Sequence, residues 1–579
     1  MTRAIHAAGE GGQLQTDYLI VGGGSAGAAL AARLSECPDK RVVLIEAGSD
    51  TPPGAIPADI DDTFPSSSLN PSYFWPGLEA TIADGHPPRP WPQARVMGGG
   101  SSIMGMFALR ALPSDYARWR AAGARGFHED VMAACYAKAV DDLDRSSNGA
   151  TRGASPVCRL PREAWPPFMQ RIERAAATLG FPFVADVNTT SNDGFFAMPA
   201  TSDGSVRSSG ARCYLTSEVR ARKNLSILPD TRVTSLRLDG RRVTGVHAIR
   251  SGEMLALDAR EVILSAGAIH SPAILMRSGI GPGDELRGLG IPVVADRHGV
   301  GRNLQNHAYQ FFAAALPRAE RLGAHRRRFA IAGLRASSGL PDCPAGDLML
   351  FVLGRVSARS FGVDVAMVGS ALYAPFSRGA VTLASADPHV HPRIDFRMLD
   401  DPRDAPRVIA AARLAEQLLR EPAVSAGYHD AYLLPAGLAV NQFNRKGVAG
   451  AFLAAGAKAV LNGPAALRRF AFARALPGAQ LLSGPQGAAT LSDAQLLASI
   501  APMGHPAGTC AMGDEHDPLA VVDDTYRVRG VDGLRVVDAS VMPVIPSANT
   551  HVPTLMLAEH AAARISGMPL TAAEREMTV

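Results

Sequence analysis

Between residues 17 and 48 the chain sets a glycine cluster, GGGSAG at 22–27, directly after a short apolar run (18–21) and directly before an alanine-rich stretch (26–34), with a second apolar run at 42–45. This order predicts a βαβ unit, because short apolar runs bounded by turn residues suit buried strands and the alanine-rich run suits a helix. The three glycines of the GxGxxG pattern have separate tasks. Gly22 permits the tight turn, Gly24 lets the backbone approach a pyrophosphate, and Gly27 lets the helix pack on the strand. Unpaired N–H groups of the first helical turn, from Ser25 and Ala26 onward, aim the positive end of the helix at phosphate oxygens. Glu46 ends the second strand, where a carboxylate accepts hydrogen bonds from a ribose diol, and Ala47 follows it at the rim. A dinucleotide site is expected, and this pattern alone leaves NAD and FAD both open.

The chain has 579 residues, 47% apolar and 19% charged, which reads as a globular protein of two or three domains. Its formal net charge of +4 is not gathered into one tail, which argues against a nucleic-acid partner. Six cysteines lie far apart, with no CxxC pair and no Cys/His cluster at zinc-ligand spacing, so no metal is expected. The first residues lack an apolar core of the signal-peptide type, and no run reaches the length of a membrane span. A cytoplasmic protein with free thiols is the expectation.

Residues 51–92 read as long connecting loops, followed by a Gly-Ser knot at 98–102. Short β-type runs stand at 225–228, 243–249 and 262–264. A helix is expected at 406–419, a strand at 534–537, and a helix at 553–565 opened by Pro553. Nucleotide-type signals thus occur near the start, the middle and the end, so the nucleotide domain is expected to be discontinuous.

Further motifs carry a resemblance to a known family. Residues 94–103 read ARVMGGGSSI, 267–281 GAIHSPAILMRSGIG, 299–307 GVGRNLQNH and 505–513 HPAGTCAMG, and the stretch 537–559 closes the chain's catalytic end. In this order they resemble the glucose-methanol-choline (GMC) family of FAD-dependent oxidoreductases. The resemblance implies an α/β (α+β mixed) fold: a discontinuous Rossmann-like FAD-binding domain (15–115, 205–308 and 500–579) with an inserted sheet-plus-helix substrate domain (116–204 and 309–499). It implies FAD, held without a covalent bond because the 103–104 pair offers no attachment histidine. The residues expected to hold it are Gly22, Gly24, Ser25, Ala26, Gly27, Glu46, Ala47, Arg95, Gly99, Ser102, Met104, Gly105, Met106, Val233, Asp538, Ala539, His551, Pro553 and Thr554. Asp538 would meet a ribityl or ribose hydroxyl, and the final helix would point its positive end at the flavin pyrimidine.

The same resemblance places His505 and His551 at the substrate-facing side of the flavin. A neutral imidazole takes a hydroxyl proton at physiological pH while hydride leaves the carbinol carbon, so His505 is the expected base and His551 the second catalytic residue, at a position where the family carries His or Asn. His270, His298 and His307 are expected to serve structure only. The substrate is expected to be a small-molecule alcohol; O2, a quinone and a carrier protein all remain open as electron acceptors. Two departures from the family pattern stand out: Met104 replaces an expected Asn, which keeps a lyase- or decarboxylase-type reaction open, and the 435–476 segment is long. Its 447–461 helix is expected to be either a lid or a core element, with membrane-surface contact disfavoured because its alanines bury little area.

Overall fold

The computed structural model describes residues 16–145, 152–436, 448–482 and 490–570. In chain order, the strands of its two large sheets are β1 (Thr16–Val21), β2 (Val42–Ile45), β3 (Gly194–Ala197), β4 (Leu225–Leu228), β5 (Thr231–Asp239), β6 (Arg242–Arg250), β7 (Glu253–Leu264), β8 (Ala308–Ala315), β9 (Ala330–Ala336), β10 (Leu348–Leu353), β11 (Val365–Leu372), β12 (Asp430–Leu433), β13 (Gln480–Leu482), β14 (Ala501–Pro502) and β15 (Leu534–Val536). The helices used below are α1 (Ser25–Leu34), α2 (Gly267–Arg277), α3 (Val448–Leu461), α4 (Ala465–Ala475) and α5 (His551–Ser566).

The first sheet runs β5-β6-β7-β1-β2-β4, with β15 added beside β7. β7 belongs to two patterns. Its first half pairs antiparallel with β6, while its second half runs parallel to β1 and β15. Leu19 and Ile20 of β1 are fully buried, as expected for a central parallel strand covered on both faces. α1 buries Ala28 to Ala32, and a Cβ placed on Gly27 would lie 1.8 Å from the Gly22 carbonyl oxygen. Only glycine allows that approach of helix to strand. Gly22 itself has φ +105°, and a Cβ there would lie 2.4 Å from Ser265 O, so the turn needs glycine on two counts.

The second sheet is antiparallel, in the order β13-β12-β8-β11-β10-β9-β3 with β14 beside β8. β8 begins at Ala308 and β14 at Ala501, next to the sequence-derived domain boundaries at 308/309 and 499/500. α5 packs on α1, and their ends are tied by Arg33, whose Nε donates to Glu559 Oε2 at 2.9 Å. Tyr214 donates to the same carboxylate at 2.8 Å.

The expected elements at 406–419, 534–537 and 553–565 are present as Asp404–Arg420, Leu534–Val536 and His551–Ser566. The last helix starts two residues before Pro553, which sits inside its first turn where a missing N–H costs nothing. Of the 435–476 segment, residues 437–447 lie outside the described residues. No described residue of α3 or α4 lines the cleft of the next section, and no described helix is long and apolar enough to cross a membrane.

Candidate active site

One deep cleft of about 240 Å³ opens at the carboxyl ends of the parallel strands. The last residues of β1 and β2 (Val21, Ile45) and those just after β7 and β15 (Ser265, Asp538) reach it. Ligands of open α/β sheets bind at such strand ends.

Two glycine loops face each other across its floor. A Cβ on Gly99 would lie 2.9 Å from Gly24 Cα, whereas a Cβ on Gly24 would meet nothing nearer than Gly99 Cα at 4.0 Å. Space therefore remains open beside Gly24. No side chain caps α1, whose N-cap is Gly24, so its leading N–H groups stay available to an anion. These features fit a pyrophosphate.

Two buried carboxylates organise the rims. Glu46 accepts from Gly23 N–H through Oε2 and from Gly48 N–H through Oε1, each at 2.8 Å. Burial pushes its carboxyl above the ordinary range, opposed by those two N–H groups. Glu46 thus holds the glycine loop as well as facing the cleft. Asp538 accepts from Gly267 N–H at 2.9 Å and Ser271 Oγ at 2.6 Å through Oδ2, and from Ser540 N–H at 2.7 Å through Oδ1. Burial raises its carboxyl too. Oδ1 keeps capacity for one more donor, such as a sugar hydroxyl.

His505 stands in a chain of polar groups whose donors can be assigned. Tyr373 donates to Asn549 Oδ1 at 3.1 Å, which turns the amide Nδ2 toward His505 Nε2, also at 3.1 Å. An amide nitrogen only donates, so Nε2 accepts and the proton of His505 sits on Nδ1. Nδ1–H then donates to His307 Nδ1 at 2.9 Å. His307 is fully buried and stacked on Tyr373, with ring centroids 4.4 Å apart and planes at 10°. Burial pushes its imidazole well below the usual range and lowers His505 to about 4. The pair is neutral at physiological pH, with the bare nitrogen of His505 beside an amide donor.

His551 has other company. It is the first residue of α5, and its Nδ1 lies 2.8 Å from Ser25 Oγ at the start of α1, while its buried Nε2 has no partner among the described residues. Burial first, and the Arg207 cation second, lower it to about 4. The residue that stands against His505 is thus Asn549 rather than the expected His551, which joins the glycine-loop end of the same cleft.

Gly22, Gly24, Ser25, Ala26, Glu46, Ala47, Gly99, Met104, Gly105, Met106, Val233, His505, Asp538, Ala539, His551 and Thr554 all line the cleft. Gly27, Arg95, Ser102 and Pro553 do not. Gly27 is spent on helix packing, Arg95 donates to Ala47 O at 3.1 Å from outside, and Ser102 is fully buried with its hydroxyl on Met97 O at 2.8 Å. Its neighbour Ser101 lines the cleft instead.

Sequence reasoning missed Asn549 and misjudged two histidines. His307 holds His505, and His270 lines the cleft packed against Trp75, with centroids 4.4 Å apart and planes tilted by 40°. His298 is exposed, as suits a structural or idle residue. The amide of Asn549 could have been found as the polar residue two positions before His551, yet nothing in the sequence ranks the two.

Residues 16–309 and 375–558 match family models described as GMC oxidoreductase. A 5-(hydroxymethyl)furfural oxidase of Methylovorus sp. (strain MP688) is 38% identical over 561 residues, covering 94% of this chain and 97% of the relative. An oxygen-dependent choline dehydrogenase of Rhizobium johnstonii is 33% identical over 597 residues, covering 97% and 98%. Among solved structures, pyridoxine 4-oxidase from Mesorbium loti superposes with a TM-score of 0.76 at 27% identity, covering 95% of this chain and 99% of that one.

Proposed function

Because this chain belongs to the GMC oxidoreductase family, we propose that its cleft holds FAD without a covalent bond and that it oxidises the carbinol of a small-molecule alcohol to a carbonyl. The relatives named for 5-(hydroxymethyl)furfural and choline, both alcohols, support that substrate class. When bound, FAD supplies the two-electron acceptor for the carbinol C–H bond. The glycine loops and the α1 N-terminus would take its pyrophosphate, Glu46 its ribose, and Asp538 a ribityl hydroxyl.

The observation that carries the reading is the 3.1 Å pair of His505 Nε2 and Asn549 Nδ2 at the cleft wall. A substrate hydroxyl that replaces this hydrogen bond, parting the two groups, donates its proton to the freed Nε2 lone pair and accepts from the amide N–H. His505 removes the proton, and the amide stabilises the negative charge that grows on the oxygen. His307 accepts from Nδ1–H and so keeps the free lone pair of His505 on the substrate side. Met104, whose thioether lies against Gly504, makes this end of the cleft apolar, which favours the neutral imidazole.

The test is anaerobic mixing of FAD-loaded protein with a panel of primary and secondary alcohols. Bleaching of the oxidised flavin band by at least one alcohol is the expected result. A flavin that binds yet stays oxidised with every alcohol would overturn the proposal, and carbon–carbon cleavage without net bleaching would favour the lyase- or decarboxylase-type reading.

A further inference from the structure

A second cavity, of about 250 Å³, lies against the antiparallel sheet. Strand alternation puts Tyr309 and Phe311 of β8 on one face, and Leu353 and Met367, directly paired across β10 and β11, also line the cavity. Phe64 and Phe329 close it as an edge-to-face pair with centroids 5.7 Å apart. Among the described residues, no Asp, Glu, Lys, Arg or His lines this cavity.

Phe329 is also a wall of the flavin cleft's neighbourhood. A Cβ on Gly105 would lie 3.2 Å from Phe329 Cε1, and the Phe107 ring centroid is 6.4 Å away. Gly105 and Phe107 both line the cleft. Phe329 thus lines the second cavity and stands next to two residues of the cleft wall. Behind Phe64, the Arg327 guanidinium sits 5.8 Å from the ring centre and is paired with Asp62. Asp62 neutralises that cation, and no described lining residue offers a carboxylate to a positively charged group, whose burial without a partner is costly.

We infer that this cavity is a distal specificity pocket that takes the uncharged, apolar or aromatic tail of the alcohol, with Phe329 between it and the cleft wall. The inference rests on the alcohol-oxidising reading above and narrows it: a neutral tail is preferred to an ammonium. Aromatic rings alone can cage a quaternary ammonium, so the charge preference is the discriminating point.

The experiment compares kcat/KM by flavin reduction for choline against its uncharged isostere 3,3-dimethylbutan-1-ol, and for benzyl alcohol against 4-propylbenzyl alcohol. An apolar pocket separates substrates by about 10-fold to 200-fold per methylene-sized group. The neutral isostere should be favoured over choline at least about tenfold, and the propyl group should raise kcat/KM. Ser68→Trp, which fills the cavity from a partly exposed position in the short 3-10 helix Ser66–Leu69, should lower the 4-propylbenzyl to benzyl ratio at least about tenfold. Phe329→Ala should shift that same ratio with flavin content retained. Preference for choline, or ratios that neither variant moves, would overturn the inference while leaving alcohol oxidation standing. Failure of every alcohol to bleach the flavin strikes the functional reading itself.

Discussion

Replacing Asn549 by Asp changes one heavy atom and almost no volume, yet the geometry predicts that it disables the base. In the parent, the amide N–H faces His505 Nε2 at 3.1 Å, and burial holds the imidazole at about 4. A carboxylate there would attract a proton onto Nε2. Two unit charges at that separation interact by about 5 kcal/mol at an effective dielectric constant near 20, which is roughly 4 pKa units. The imidazole would move to about 8, so only about one molecule in ten would carry a free base at pH 7. The assay is anaerobic flavin reduction by stopped flow from pH 5 to 9.5. Parent protein should hold a flat rate down to about pH 5, because its base protonates only near 4. The Asn549→Asp variant should be slow at pH 7 and recover as pH rises through 8. A flat profile in the variant, matching the parent's, would refute the donor assignment on which the mechanism stands.

His505→Ala should slow flavin reduction about 100-fold to 10,000-fold with bound FAD and its spectrum retained, as read by the same stopped-flow experiment. His551→Asn should be milder in that rate; a larger loss than for His505→Ala would reverse the two roles. Glu46→Ala should weaken FAD binding by titration and lower the apo-protein's melting temperature, since two loop N–H groups lose a charged partner worth about 1.5 to 3 kcal/mol each. His560 is fully buried beside Tyr526 and lowered to about 3, against about 6.5 in the unfolded chain. A depressed histidine contributes stability that is intact above 6.5 and lost as pH falls toward 3, about 2 kcal/mol between pH 7 and pH 5. Urea melts of the parent and of His560→Gln should differ in that pH slope, and parallel slopes would contradict it.

The nucleotide half of the site was legible because its chemistry is written in local order. GGGSAG, the strand before it and Glu46 after it lie within thirty-odd positions, and Gly22 and Gly27 answer to contacts within that unit or one strand away. The catalytic end was less legible. His505 stood out inside a Gly-His-Pro turn, but its partner depends on how the 545–551 turn is wound, and nothing local tells whether position 549 or 551 faces it. His307 was passed over for the same reason: its meaning comes from residue 505, brought to it by pairing of β14 with β8. In the sequence the 447–461 helix stays open between a lid and a core element, because the length of its segment fits either. In the structure α3 exposes Val448, Phe452 and Leu453 while burying Ala454 and Leu461, away from the cleft lining.

The tie between α1 and α5 has a consequence for how the protein is made. Arg33 and Glu559 lie 526 positions apart, and β15 completes the parallel sheet only when residue 536 has been synthesised. The first βαβ unit leaves the ribosome with one face of its alanine helix uncovered, and it stays so for nearly the whole of translation. Contacts of such long sequence separation form late and slowly. Cofactor capture is therefore a post-translational step, and a nascent chain halted before α5 emerges should be a client for chaperones rather than a yellow protein.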